Sequence, residues 1–379
     1  MKALHVVNIS FVLPYYIGEQ FDFFQEKGVK FYIASSPDPF LFDYCKEKNL
    51  KAIPVHILRE INIKEDIKAT IKLFKVIKRK KIDVVIGHTP KGALLAMLAA
   101  TLARTTNRIY FRHGLMYETS KGLKRFVLKN IERFTGSLAT KIICVSPSVL
   151  RISNHEKLSK PKKNILLNRG TCNGIDALVK FNPAKIRQQD VEALKMMYDI
   201  KASDKVVGYV GRLVNDKGIN ELIQAWKSIL KTRKNIKLLL VGPFEKRDAI
   251  DPAVQKFIDD EPTIISTGLI QETALYYALM DLFILPSYRE GFPTVVLEAS
   301  SMELPVITTQ ATGCIDSIIN NETGVFTSLK PADIVKHILY YLDNESVAND
   351  HGQNGRSFVL KNFDQHVIWR EIQKKVYQI

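Results

Sequence analysis

Twice along this chain, short apolar runs alternate with helix-patterned segments, and that repetition limits the fold more than any other feature. The first round places strand-like runs at residues 4–8, 30–34, 52–55, 83–86, 108–111, 141–145 and 165–167. Helical patterns lie between them at about 16–27, 40–49, 64–81, 91–104, 121–137 and 147–158. Short apolar runs with little polar alternation are those of strands buried on both faces. Strand and helix in alternation predict a doubly wound α/β domain with a mostly parallel sheet. A second round begins at residues 206–210 and continues at 237–241, 264–267, 282–285 and 305–308. Between the rounds, residues from about 168 to 203 hold Asn168, Gly170, Asn173, Gly174 and Asn182-Pro183, a turn-rich composition that marks a boundary. A length of 379 residues fits two such Rossmann-like domains. The expected division is 1–170 and 171–358, with a last helix at 359–379; Asn321-Glu322-Thr323-Gly324 reads as a turn, and the chain reads as helical after about 331.

Composition narrows the class. Hydrophobic residues make up 46% and charged residues 25%, the proportions of a soluble globular protein. No apolar run reaches the length of a membrane-spanning helix, and Met1-Lys2-Ala3-Leu4 opens without a signal-peptide pattern. Cys45, Cys144, Cys172 and Cys314 are scattered with no C-x-x-C pair, which reads as reduced thiols and a cytoplasmic location. The net charge of +16 is uneven: residues 1–170 carry 31 Lys+Arg against 13 Asp+Glu, and the remainder 24 against 26. A basic half joined to a near-neutral half argues for an anionic partner met by the first half.

The chemistry concentrates where strands end. Leu282-Phe283-Ile284-Leu285 runs into Pro286-Ser287-Tyr288-Arg289-Glu290-Gly291-Phe292-Pro293, and good helix formers follow from Thr294. Pro293 sits where a helix would have its first residue. This is strand, tight loop and helix N-terminus, with backbone N–H groups able to hold an anion. Glu290 lies on the loop and Glu298 inside the helix; a diphosphate with hydroxylated groups at both ends suits that arrangement, although an ordinary junction with two solvated glutamates would read alike. Gly211-Arg212-Leu213-Val214-Asn215-Asp216-Lys217-Gly218 occupies the corresponding place after the first strand of the second half. It is neither G-x-G-x-x-G nor a Walker A loop, so side chains must hold any phosphates. Arg212 supplies a planar fork and Lys217 a mobile point charge.

These two stretches resemble the E-x7-E and G-R-L-x-x-x-K-G motifs of retaining glycosyltransferases of the GT-B fold, the large family 4 group. His88-Thr89-Pro90-Lys91-Gly92, Arg112-His113-Gly114-Leu115 and Asn173-Gly174-Ile175-Asp176 look like the branch that builds capsular and lipid-linked polysaccharides. The resemblance implies two Rossmann-like domains facing a cleft, with the last helix crossing back onto the first. Arg212 and Lys217 map onto the family's diphosphate-binding pair. Glu298 would bind ribose hydroxyls, and Glu290 would contact the donor sugar together with Gly291, Phe292, Pro293 and Thr294. Gly242 could let backbone approach the ligand, though it also reads as a plain turn. Gly268 and Leu269 take the place where the family's backbone meets the base. His113 would contact the sugar or the leaving group, with His88 and Ser10 lining the cleft on the acceptor side. The loop Val7-Asn8-Ile9-Ser10-Phe11-Val12-Leu13-Pro14 departs from the family's Gly-Gly loop, because it has no glycine.

The implied reaction moves a sugar from a nucleotide donor, read as UDP-linked, to a hydroxyl of a glycan acceptor. That acceptor is read as a polyprenyl-diphosphate-linked saccharide at the inner face of a bacterial membrane. Charge grows on the diphosphate as it leaves, and cations aimed at it stabilise the transition state more than the ground state. The chain has no D-x-D motif, so no metal and no cofactor are expected. The basic half suggests peripheral binding to anionic lipid. Ile67, Ile71, Phe74 and Ile77 are expected on one helical face packed on the sheet, flanked by Lys68, Lys72, Lys75, Lys78, Arg79, Lys80 and Lys81; Lys121, Lys124, Arg125 and Lys129 form a second basic cluster beside Leu123, Phe126, Val127 and Leu128. No nucleic-acid module is recognised. Two other readings stay open on the sequence: a UDP-GlcNAc 2-epimerase on the same fold, and a non-catalytic membrane-binding protein.

Overall fold

A computed structural model describes residues 1–379. The chain divides into one unit of residues 1–173 and 366–379 and another of residues 174–365. The first unit holds β1 (Lys2–Val6), β2 (Lys30–Ser35), β3 (Lys51–Pro54), β4 (Val84–Gly87), β5 (Asn107–Arg112), β6 (Lys141–Cys144) and β7 (Asn164–Leu166). They form one parallel sheet in the order β3-β2-β1-β4-β5-β6-β7. The second unit holds β8 (Lys205–Val210), β9 (Ile236–Val241), β10 (Ile264–Ser266), β11 (Leu282–Leu285), β12 (Val306–Thr309) and β13 (Gly324–Thr327), in the order β10-β9-β8-β11-β12-β13. Each order reverses once, between β1 and β4 and between β8 and β11. In an open parallel sheet, loops on either side of that reversal part and leave a crevice beyond the strand ends.

The strands are buried as their composition demands. Every residue of β4, β11 and β12 is enclosed. Several helices of the first unit begin on polar caps: Asp38 accepts from the Leu41 N–H at 2.7 Å, and Ser146 from that of Val149 at 3.2 Å. Such caps satisfy N–H groups that a helix start otherwise leaves open. All four cysteines are buried and free.

Four expectations about elements are corrected. The segment expected as one helix at 16–27 is two short helices, Leu13–Tyr16 and Gln20–Gln25. Strand β13 was hidden because it starts on glycine directly after a turn. The C-terminal stretch breaks twice, giving Pro331–Asp343, Glu345–Asn362 and Gln365–Ile372, followed by a π-turn Gln373–Tyr377. Residues 359–362 therefore complete a helix of the second unit, and the crossing into the first unit comes at 365/366.

The fourth concerns the basic helix Ile63–Lys80. Its buried face is Ala69, Thr70, Leu73, Val76 and Ile77, whereas Ile67 and Ile71 are 55% and 48% exposed. Ala69 and Thr70 are small, and the helix packed alongside, Pro90–Leu102, is rich in alanine, with Ala93, Ala96, Ala99 and Ala100 buried. Ala69, Leu73 and Ile77 share one buried cluster with those alanines, so the face that packs is turned away from Ile67 and Ile71. On helix Gly122–Leu138, Leu123 and Phe126 also stand clear of the core, 76% and 64% exposed.

Candidate active site

In the second unit the loops after β8 and β11 lie on either side of the sheet's reversal, and backbone contacts bind them together. The Tyr288 N–H donates to the Asp216 carbonyl at 3.0 Å, and the Ser287 hydroxyl to the same oxygen at 3.2 Å. Arg289 pairs with the Asp216 carboxylate at 2.9 Å. Gly218 makes the approach possible: its φ is +73°, and a Cβ there would lie 2.0 Å from the Pro286 carbonyl oxygen. Any other residue would push the two loops apart. A similar contact joins the β8 and β9 loops, because a Cβ on Gly242 would lie 1.9 Å from the Gly211 carbonyl oxygen. That close packing gives Gly242 a structural reason to be glycine.

The expected cations and carboxylates meet at these loops. Lys217 forms an ion pair with Glu290, and both are largely shielded from solvent. Arg212 pairs with Glu245 at 2.7 Å, and the Tyr209 hydroxyl holds the Arg212 carbonyl at 2.9 Å. Each cation thus rests against a carboxylate, a group of the same charge sign and hydrogen-bonding capacity as a phosphate. Glu245 was missed by sequence reasoning; its only signal was an acidic residue shortly after Val241-Gly242-Pro243. The helix Thr294–Ser301 starts one residue later than expected, with Pro293 as its N-cap and no capping side chain. The Phe292 ring turns inward onto Phe363, with ring centres 5.2 Å apart, so that residue is an anchor for the loop. Glu298 accepts from the Tyr277 hydroxyl at 2.8 Å. Burial pushes its carboxyl above the usual range, against the opposing pulls of Tyr277 and Lys180. Gly268 bridges to Gly242 across the neighbouring strand ends, and Leu269 is 53% exposed beside it.

In the first unit, His113 follows β5 and His88 follows β4, as the strand positions predicted. Tyr16 stacks on the His113 ring with centres 3.8 Å apart and an interplanar angle of 9°. The His113 Nε2 is 2.9 Å from the His88 Nδ1. His88 itself is only 1% exposed, so it stands behind His113 and lines no surface. Ser10 is equally enclosed, its hydroxyl donating to Asp38 at 2.6 Å, where it steadies the residue that caps the helix Pro39–Glu47. The rings of His5, Tyr16, Phe111 and His113 surround His88, and the bond to Asp38 turns the Ser10 hydroxyl inward. Burial pulls the His88 imidazole down to about 3, and His113 is lowered by burial and by its neighbour His88. Both rings are neutral at physiological pH.

The family profile described as "Glycosyl transferases group 1" matches residues 190–358, and that of "Glycosyl transferase 4-like" matches residues 5–146. The capsular polysaccharide biosynthesis glycosyltransferase CapM of Staphylococcus aureus is 34% identical over 374 residues, covering 98% of this chain and 96% of its own. The chain belongs to the group 1 glycosyltransferases. A second relative of this glycosyltransferase, from Escherichia coli, is named UDP-Gal:alpha-D-GlcNAc-diphosphoundecaprenol alpha-1,3-galactosyltransferase; it is 27% identical, covering 86% of this chain and 82% of its own. Among solved structures, a Rickettsia africae glycosyltransferase aligns with a TM-score of 0.81 at 20% identity, covering 100% of this chain and 98% of its own. The Anabaena protein HepE in complex with UDP-glucose aligns with a TM-score of 0.81 at 17% identity over 100% of both chains. At those identities the likeness establishes the fold, which is GT-B.

Proposed function

We propose that this glycosyltransferase moves a sugar from a UDP-linked donor to a lipid-diphosphate-linked saccharide, with retention of anomeric configuration and without a metal ion. The observation that carries this reading is the pair of cations on the loop after β8, Arg212 against Glu245 of the loop after β9 and Lys217 against Glu290 of the loop after β11. They supply two positive charges at the crevice of the donor-side sheet, where a departing diphosphate needs them. The names of the Escherichia coli relative and of CapM support the donor, the lipid-linked acceptor and a place in surface-polysaccharide assembly. Retention rests on the resemblance of Glu290 and Glu298 to E-x7-E. Arg212 and Lys217 hold the diphosphate, Glu298 the ribose, and Glu290 the donor sugar once Lys217 has turned to the phosphate. His113 meets the sugar or the leaving group as a neutral hydrogen-bonding partner.

The test is transfer from a panel of UDP-sugars to undecaprenyl-diphosphate-linked saccharides, run with and without EDTA. Transfer is expected from one UDP-sugar at a rate indifferent to chelator. Activity that vanishes with EDTA and returns with magnesium or manganese would overturn the metal-free mechanism. Turnover of the donor without any acceptor would return the epimerase reading.

The acceptor's lipid places the reaction at a membrane, and the first unit carries a surface suited to one. No helix is long and apolar enough to cross a bilayer. Instead, Ile63, Ile67, Ile71, Leu123 and Phe126 are exposed on two helices that also carry Lys64, Lys68, Lys72, Lys75, Lys121 and Lys124. Apolar side chains beside lysines combine insertion with attraction to anionic headgroups, each cation contributing about 1 kcal/mol near the surface. Flotation with vesicles containing anionic lipid is expected, weakened by salt and by changing Lys78, Arg79, Lys80 and Lys81 to Gln. Leu123→Ser with Phe126→Ser should weaken it again at fixed salt. Equal flotation with neutral vesicles would remove the electrostatic part of this reading.

A further inference from the structure

His113 and His88 are the outer members of a longer row. His5, inside β1, places its Nδ1 3.0 Å from the His88 Nε2. Its other nitrogen, Nε2, is 3.0 Å from the hydroxyl of Tyr377 in the π-turn that ends the first unit. Four residues drawn from four parts of the chain therefore form one line: Tyr377, His5, His88, His113. π-Helices are rare. This one brings both Val376 and Tyr377 into the buried interior.

The proton count along this line is constrained. A neutral imidazole has one N–H and one lone pair, so three rings joined through both nitrogens have two consistent arrangements. In one, every ring proton points toward His113; in the other, every proton points toward Tyr377. Burial lowers all three histidines, and no carboxylate contributes to any of their shifts, so the row carries no charge. Tyr377 chooses between the two. It is 4% exposed, its ring lies against Phe24 and Phe31, and His5 is its hydroxyl's hydrogen-bonding partner. Were the phenol to accept from His5, its own O–H would be buried without an acceptor, at a cost of about 1–3 kcal/mol. Donation avoids that cost. The phenol thus donates to His5 Nε2, His5 Nδ1–H to His88 Nε2, and His88 Nδ1–H to His113 Nε2.

We propose that Tyr377, His5 and His88 are positioning residues that hold His113 in its Nδ1–H tautomer, so that it acts on the substrate as a hydrogen-bond donor and not as a base. The Nε2 lone pair of His113 is engaged by His88, and the nitrogen left over carries the proton. This rests on His113 meeting the sugar or the leaving group, and it specifies what His113 does there: it donates to an oxygen. A carboxylate at the far end of the row would favour a protonated, charged imidazole; a phenol leaves the row neutral.

The tautomer can be read directly. In the full-length protein labelled with ¹⁵N-histidine, long-range ¹H–¹⁵N spectra distinguish a protonated ring nitrogen from a bare one. His113 is assigned by the loss of its signals in His113→Gln. The expected wild-type spectrum at pH 7.5 shows His113 with a protonated Nδ1 and a bare Nε2. Tyr377→Phe keeps the ring packing and removes only the donor, so His113 should become a mixture of tautomers. The kcat should then fall about twofold, in proportion to the competent population, with the donor KM unchanged. A wild-type His113 protonated on Nε2, or a tautomer unaltered in Tyr377→Phe, would overturn the inference. Because the spectrum is recorded without substrate, it does not depend on the proposed reaction. A locked tautomer together with a fully active His113→Gln would uphold the lock and refute the part assigned to His113 in transfer.

Discussion

Replacing Arg212 or Lys217 with alanine should lower kcat by roughly 10²–10³, while raising the donor KM by much less. In the proposed reaction both cations act on charge that grows as the glycosidic bond breaks, so their loss should be felt in the transition state more than in the bound donor. The ion pairs sharpen this expectation. Arg212 already lies 2.7 Å from Glu245, and Lys217 is paired with Glu290, so a diphosphate replaces one anion by another. Ground-state binding is therefore an exchange with a small net gain, which leaves the cations' main effect for the transition state. Glu298→Ala should behave differently. Ribose hydroxyls do not change charge during transfer, and losing hydrogen bonds to a charged acceptor is worth about 1.5–3 kcal/mol, felt mainly as a higher donor KM. The fold should survive, because the Tyr277 hydroxyl that donates to Glu298 also reaches the Val295 carbonyl at 3.2 Å. Steady-state kinetics with circular dichroism as a folding control will check the contrast. Turnover left intact in Arg212→Ala and Lys217→Ala, with the fold preserved, would mean that the diphosphate site lies elsewhere.

Mild acid should unfold the first unit. His5 and His88 are neutral in the folded protein, His5 held well below its ordinary range by burial and by His88, and His88 brought to about 3 by burial. In the unfolded chain both titrate near 6.5. The unfolded state therefore binds more protons throughout the window from about 6.5 down to about 3, and stability must fall as pH falls through it. Depressed folded values contribute stability that is complete above about 6.5 and is lost on acidification. The limiting slope from these two rings is about 2.7 kcal/mol per pH unit, a large fraction of the stability of a typical domain. Thermal melts between pH 7.5 and 5 should show this drop, and replacing His5 with an uncharged residue should flatten it. A melting temperature that does not change across that range would show that the row is charged or solvated.

Twelve strands were legible because their composition leaves little choice: apolar runs such as Leu282–Leu285 can only be buried, and the turns between them are marked. That Lys217 and Glu290 would meet at the loops after β8 and β11 was legible through motif and position together. What escaped the sequence depends on long-range packing. Local periodicity puts Ile67 and Ile71 on an apolar stripe, but the face packed beside the alanine-rich partner helix is Ala69, Leu73, Val76 and Ile77, and Ile67 and Ile71 face outward. His5 left a faint signal, an ionisable residue within a strand that is otherwise apolar. Tyr377 left none, since 372 residues separate it from the histidine it touches. Glu245 looked like any loop glutamate until the fold placed it against Arg212.

The second unit is one uninterrupted stretch of chain, residues 174–365, set within a first unit whose own chain resumes afterwards. Its entry and exit segments lie side by side: the Ile175 N–H donates to the Phe363 carbonyl at 2.8 Å, and the Gln365 N–H to the Ile175 carbonyl at 2.9 Å. Adjacent ends are what an inserted module needs, because its removal or exchange leaves the host chain only a short gap to close. The half that carries Arg212 and Lys217 can thus be exchanged through two nearby junctions as a single cassette. The half that carries the histidine row must be inherited in two pieces, and Tyr377 has to come with it. Recombination between relatives can therefore exchange the second unit by one crossover pair, while the histidine row stays with its own tyrosine.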